Sequence, residues 1–200
     1  MSGQDKINWD NRYKNSKVSE MPWYNPDIDS DLEKALKSLN LNSGTFLDLG
    51  TGPATQANKL SEKGFRVTGT DISAEAVYLA KQTFENIEFI QDDILDTKLQ
   101  HKFDYIFDRG CFHVIDIEKR DIYCKNVFHL LNESGLIFLK CFSNKMPEND
   151  LEPHRISEAD IKKTFNNKFI LEDLWHTEFI NSNPQQTKAL FVILRKNTPL

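Results

Sequence analysis

The chain is short of several things that would each announce a common activity. It has three cysteines, Cys111, Cys124 and Cys141, which form no CxxC pair and no Cys/His metal spacing, so they read as reduced, buried thiols and no metal site is expected. It lacks a basic excess: the net charge is −5 over 200 residues, which argues against nucleic acid or an anionic membrane as the main partner. No apolar run is long enough to span a bilayer, and the opening MSGQDKINWD has no signal-peptide core, so a cytoplasmic protein is expected. Repeats and low-complexity tracts are also missing, and no break divides the chain, which predicts one domain over residues 1–200.

Two further gaps concern phosphate binding. The turn GTGPAT has glycine at Gly50 and Gly52, but Thr55 stands where a dinucleotide fingerprint places its third glycine. No Gly-Lys-Ser/Thr follows, so the turn is not a P-loop either.

What is present is a strand, a glycine turn and a helix start in succession. Thr45 to Leu49 reads as a buried parallel strand, Gly50 and Gly52 let the backbone turn and approach a ligand, and Pro53 suits the first helical position. The helix start itself favours an anionic group such as a carboxylate. Phe65 to Thr70 reads as a second strand, ending at Asp71 where a ribose diol would lie. A ribose-bearing cofactor without a pyrophosphate fits these features.

Helical patterns cover Asp31 to Leu39, Thr55 to Lys63, Ala74 to Phe84, Glu118 to Leu131 and Ser157 to Phe165. Strand patterns beyond the first two cover Ile87 to Ile90, Phe103 to Phe107, Leu136 to Phe142, Ile170 to His176 and Lys188 to Leu194. Asn132 to Gly135 reads as a turn before the fifth strand, and the polar stretch 181–186 joins the last two as an antiparallel hairpin. The alternation predicts an α/β fold: a Rossmann-like, doubly wound, seven-stranded sheet, mostly parallel, with helices on both faces. Ligands of such sheets bind beyond the carboxyl ends of the strands. The segments to watch are therefore Asp108 to Ile115, with Arg120 and Tyr123 beyond it, and the loop Cys141 to Arg155, with Pro147, Pro153 and His154.

The ordered series DLGTG (Asp48 to Gly52), VTGTDIS (Val67 to Ser73) and IEFIQDDI (Ile87 to Ile94) resembles the three cofactor motifs of class I S-adenosylmethionine-dependent methyltransferases. That resemblance implies that Asp48, Gly50 and Gly52 form the turn receiving the methionine end of the cofactor. It implies that Asp71 holds the ribose, that Ile72 packs on adenine, and that Asp93, with Asp92 as its one-residue alternative, and the Ile94 amide address the adenine edge. FDYIFDRGCFHVI, followed by Arg120 and Tyr123, resembles the thiopurine S-methyltransferase and tellurite-resistance group, as do the Trp-rich stretches WDNRY at Trp9 to Tyr13 and PWY at Pro22 to Tyr24. Members of that group mostly methylate sulfur, selenium, tellurium or halide in small molecules, so a small-molecule acceptor is implied, a thiol first.

Three residues after the fourth strand are catalytic candidates. Asp108 orients the cofactor or nucleophile, or else caps the next loop. Arg109 steers an anionic substrate or stabilises a thiolate, or else pairs with Asp108. His113 is a base of near-neutral pKa, or else a packed structural residue. Residues 1–28, with Trp9, Tyr13, Trp23 and Tyr24, are expected to cap the cofactor site, which places Trp23 among the cofactor residues. The alternative activities are protein lysine methylation and a catalytically silent cofactor-binding module.

Overall fold

The computed structural model describes residues 8–146, 153–180 and 187–197. Pro147 and the polar stretch 181–186 lie outside them. Among the described residues the α-helices and β-strands follow in the order α1 (Trp9–Asn15), α2 (Ser30–Ser38), β1 (Thr45–Leu49), α3 (Thr55–Glu62), β2 (Arg66–Asp71), α4 (Ala74–Thr83), β3 (Glu88–Gln91), β4 (Phe103–Arg109), α5 (Arg120–Leu130), β5 (Leu131–Phe142), α6 (Glu158–Phe165), β6 (Phe169–Phe179) and β7 (Thr187–Lys196). They build one seven-stranded sheet of order β3-β2-β1-β4-β5-β7-β6. β1 to β5 run parallel, and β7 enters antiparallel between β5 and β6. The expected doubly wound sheet with its antiparallel end is therefore present. No helix among the described residues is long and apolar enough to cross a membrane.

Strand alternation divides the core into two layers. Phe46, Phe107 and Phe138 point to the face covered by α2, with Leu32, Leu36, Phe65 and Phe191. Leu47, Ile106, Ile137 and Leu139 point to the other, under α5 and α6, with Phe112, Tyr123, Val127, Ile161 and Phe165. The helices start where side chains catch their free amides. Asp29 accepts from Asp31 N and Leu32 N, Ser73 from Ala76 N, and Ser157 with Asp160 forms a reciprocal capping box.

Two local expectations need correction. Pro53 does not open α3: the helix begins at Thr55 behind Ala54, which is left-handed at φ 59°. The Ala54 amide donates to the Thr51 carbonyl at 2.8 Å, so Gly52 and Pro53 belong to a closed turn that delays the helix. Asn132 to Gly135 is no separate turn either. β5 starts at Leu131 and runs through it, absorbing the tight geometry as a register shift opposite Phe103 and Tyr105, with Ser134 at φ 59°.

A buried ionic network ties the amino-terminal segment to this sheet. Lys140, on β5 and fully buried, donates to Asp29 Oδ1 and Oδ2 at 3.1 and 2.9 Å and to Asp31 Oδ2 at 2.7 Å. Arg109 Nε reaches Asp29 Oδ2 at 2.9 Å, while Trp175 Nε1 and Thr177 Oγ1 complete Asp31 at 2.7 and 2.8 Å. Burial alone would raise the Asp29 carboxyl, but the Lys140 and Arg109 cations outweigh it and hold that carboxyl below its ordinary value. A depressed carboxyl pKa contributes stability that is present above its unfolded value of about 4 and lost as pH falls through the folded value. Lys140→Met, which leaves two buried carboxylates short of their cation, should destabilise the fold by about 3 to 5 kcal/mol at pH 7. Urea unfolding measures this, and a loss below about 1 kcal/mol would refute a structural role for the network.

Candidate functional site

The carboxyl ends of β2, β1 and β4 lie side by side, with Leu49 paired to Thr70 on one side and to Asp108 on the other. Gly50 and Gly52 leave β1 at φ 69° and 48°, a region where side chains are strained. Space enforces the same choice. A Cβ on Gly50 would stand 3.2 Å from Cys111 Cβ, and one on Gly52 would stand 2.6 Å from Tyr13 Oη. Asp48 sits beneath the turn and accepts from Thr51 Oγ1 at 2.6 Å. Its burial, with the Asp71 and Asp108 charges adding to it, pushes its carboxyl up to about 6. Asp71 accepts from Gly52 N and Ser73 N, both at 2.9 Å, and burial raises its pKa as well.

The amino-terminal segment rests directly on this turn. Trp23 Nε1 donates to Tyr13 Oη at 3.2 Å, Trp9 meets Trp23 edge-on at 5.7 Å, and Arg12 lies over both indoles. Burial and then the Asp71 charge raise the Tyr13 pKa, so its hydroxyl keeps its proton. Asp10 accepts from Ser73 Oγ at 2.7 Å and Glu75 N at 3.1 Å, clamping α1 onto the start of α4. Tyr13 and Met21 are buried, so the segment shares in the core as well as covering the turn.

On the far side of Asp71, Ile72 is 50% exposed, an apolar surface next to the turn. Asp92 Oδ1 accepts from Lys98 N at 2.8 Å, and Asp93 Oδ1 accepts from Leu95 N at 2.9 Å as the cap of the short turn Ile94–Asp96. The structure thus brings Trp23, Asp48, Gly50, Gly52, Asp71 and Ile72 together, with Asp92, Asp93 and Ile94 at the end of β3.

The residues at and after the end of β4 are held by bonds within the protein. Asp108 has no exposed surface, and its carboxylate accepts from the amides of Gly110, Cys111 and Phe112 and from Tyr123 Oη at 2.6 Å. It caps the loop, and burial pushes it up to about 6. Arg109 does not pair with Asp108. Besides Asp29, it donates to the Trp23 carbonyl at 3.0 Å and the Ile180 carbonyl at 2.8 Å, so it straps the aromatic segment to the sheet. These bonds use one N–H each of Nε, Nη1 and Nη2 and tie the guanidinium to Asp29 and the amino-terminal segment. His113 stacks on Phe142 at 4.0 Å and accepts from Phe142 N at Nδ1. Burial, then the Arg109 charge, lowers it to about 3, so it is neutral and a poor base at pH 7. His154 ties the two loops together, its amide donating to the His113 carbonyl at 2.9 Å.

Sequence reasoning passed over Asp10, Asp29, Asp31 and Lys140. The one local signal was a lysine inside the apolar strand LIFLKCF; its partners lie more than a hundred positions away.

The same architecture occurs in solved structures. One, described as the conversion of a disulfide bond into a thioacetal group during echinomycin biosynthesis, superposes with a TM-score of 0.81 over 94% of this chain and 90% of its own, at 19% identity. TehB from Haemophilus influenzae superposes with a TM-score of 0.72 over 85% of this chain and 63% of its own, at 20% identity. In sequence, an uncharacterised methyltransferase of Schizosaccharomyces pombe is 33% identical over 102 residues, 48% of this chain and 70% of the relative. The profile of the thiopurine S-methyltransferase family matches residues 4–199, and the chain belongs to that family of S-adenosylmethionine-dependent methyltransferases.

Proposed function

We propose that the protein moves a methyl group from S-adenosylmethionine to the sulfur, or another soft atom, of a small-molecule acceptor. The observation that carries the cofactor half is the line of buried carboxylates Asp48, Asp71 and Asp108 across three strand ends. Such a line repels a pyrophosphate and attracts the ammonium and sulfonium of this cofactor. The anionic attraction of a helix start is correspondingly weak here, because the turn delays α3 and Asp71 already occupies the Gly52 amide.

In this reading Asp71 faces the ribose, Ile72 the adenine plane, and Asp93 with Ile94 its edge. Gly50, Gly52, Tyr13 and Trp23 enclose the methionine end. When bound, the cofactor supplies a methyl group already attached to a good leaving group. What the chain has to add is alignment of the acceptor and exclusion of water.

The acceptor half is supported by the state of the groups at and after the end of β4. Asp108 is fully engaged, Arg109 is paired with Asp29, and His113 is neutral with a pKa far below working pH. An acceptor must therefore reach its nucleophilic form with little help from a base. A thiol does so with a pKa of about 8.5, whereas a lysine ammonium needs about 10.4. The family name points the same way.

Asp71→Ala should weaken S-adenosylmethionine binding by roughly 1.5 to 3 kcal/mol, since it removes hydrogen bonds to a charged group. Calorimetry that finds unchanged affinity, or tight NAD binding by the wild type, would overturn the cofactor assignment. Radiolabelled methyl transfer should favour a thiol panel over lysine peptides. On thiols, log kcat/KM should climb with pH up to the thiol's own pKa, about 8.5, with no inflection near 6.5. An inflection near 6.5 that His113→Gln abolishes would restore the histidine as base. Transfer confined to lysine peptides would replace this reading with protein methylation.

A further inference from the structure

One buried cation remains without a use. Arg120 begins α5 on the face that packs toward the sheet, in line with the buried residues Tyr123, Cys124 and Val127. It is 5% exposed, yet its Nε and Nη2 nitrogens are closed to solvent and have no hydrogen-bond partner among the described residues. Its guanidinium carbon stands 5.1 Å from the centroid of the Phe112 ring, in the loop that follows β4. Asp160 is the carboxylate whose charge favours it most, but it makes no hydrogen bond to Arg120, and its Oδ2 is held by Ser157 N at 2.8 Å and Ser157 Oγ at 2.6 Å.

The contrast with the other buried cations is informative. Lys140 has three carboxylate contacts and Arg109 has three acceptors. A guanidinium stays ionised at any working pH, and a buried charge without a partner is destabilising unless something else supplies one. The identity of the idle atoms narrows that partner. Nε–H and an Nη2–H lie along one edge of the planar group, spaced to meet both oxygens of a carboxylate in parallel. The location narrows it further, because Phe112 and Arg120 lie beyond the carboxyl end of β4, on the side of the sheet where an acceptor approaches.

We propose that the Nε–Nη2 edge of Arg120 docks a carboxylate carried by the methyl acceptor, which makes the substrate an acidic small molecule with its nucleophilic atom elsewhere. The proposal deepens the methyl-transfer reading and rests on it for the word substrate. The docking site itself is testable without turnover.

The test titrates the protein, in the presence of S-adenosylhomocysteine, with benzoate and with its uncharged isostere benzamide. Wild type should prefer benzoate by roughly 10- to 100-fold. Arg120→Met should erase that preference and unfold at the same temperature as wild type or higher, because an apolar chain replaces an unpartnered charge. Equal binding of the two probes by wild type, no binding of either, or a preference that survives Arg120→Met would each overturn the proposal. So would a variant that unfolds several degrees lower with its preference intact, which would make Arg120 a structural cation stacked on Phe112. If Arg120→Met does not fold, Arg120→Lys decides: an ammonium cannot match the fork, so the preference should fall about tenfold, and an unchanged preference is a refutation. If no thiol is methylated while benzoate still depends on Arg120, the sulfur reading fails and the carboxylate site stands.

Discussion

Three carboxylates are buried at the carboxyl ends of the central strands, and a carboxylate taken out of water needs donors from the protein. Asp48, Asp71 and Asp108 are all buried, and each is answered by the loop that leaves its own or a neighbouring strand. Asp48 draws Thr51 inward and Asp71 holds Gly52 and Ser73. Asp108 gathers three successive amides and the Tyr123 hydroxyl. The loops at these strand ends take their shape from those bonds. The crowding of the carboxylates has a consequence for affinity. Carboxyls raised to about 6 by burial, with like charges beside them, are better off when a cation arrives, and S-adenosylmethionine carries two.

Local chemistry made the centre of this arrangement readable from the chain. Thr45 to Leu49 is a strand with the expected bounds, because five residues rich in apolar and β-branched side chains bounded by glycine have few other folds open to them. Gly50, Gly52 and Asp71 were legible for the same reason: a tight turn after one strand and an acid at the end of the next are short-range facts. Pro53 was misread because a residue's suitability for the first helical turn says nothing of whether the turn before it has closed. Asn132 to Gly135 was misread because a bulge inside a strand and a turn before one use the same residues.

The roles of Asp108, Arg109 and His113 were illegible for a different reason. A strand-end Asp-Arg-Gly is as well suited to holding a substrate as to holding a loop. Which use prevails depends on Asp29, Trp23, Ile180 and Tyr123, contributed from elsewhere in the chain. Lys140 shows the extreme of this dependence. Inside an apolar strand it looks like an error of patterning, and only the folded placement of Asp29 and Asp31 makes it a junction between α2, β4, β5 and β6. The junction also has a functional side. Arg109 grips the Trp23 carbonyl and Asp29 together, so the strap that holds the aromatic segment over the glycine turn is anchored in the core of the sheet rather than in a surface loop.

The charges then fall into a pattern that suits the reaction. Asp48, Asp71 and Asp108 are buried at the strand ends, Lys140 and Arg109 meet Asp29 and Asp31 on the α2 face of the sheet, Arg120 lies on the α5 face, and His113 is neutral. Transfer of a methyl group from a sulfonium to an anionic nucleophile neutralises both reactants, and a dry site favours that collapse of charge. The energetic difficulty lies earlier, in bringing a cation and an anion into a space from which water is excluded. In the proposed reading, the buried carboxylates ease the entry of the cationic cofactor, and a cation at the carboxyl end of β4 eases that of an acidic acceptor. Arg109 and Lys140 are tied to Asp29 and Asp31, whereas Nε and Nη2 of Arg120 have no hydrogen-bond partner among the described residues, and that difference is what the proposed carboxylate docking uses.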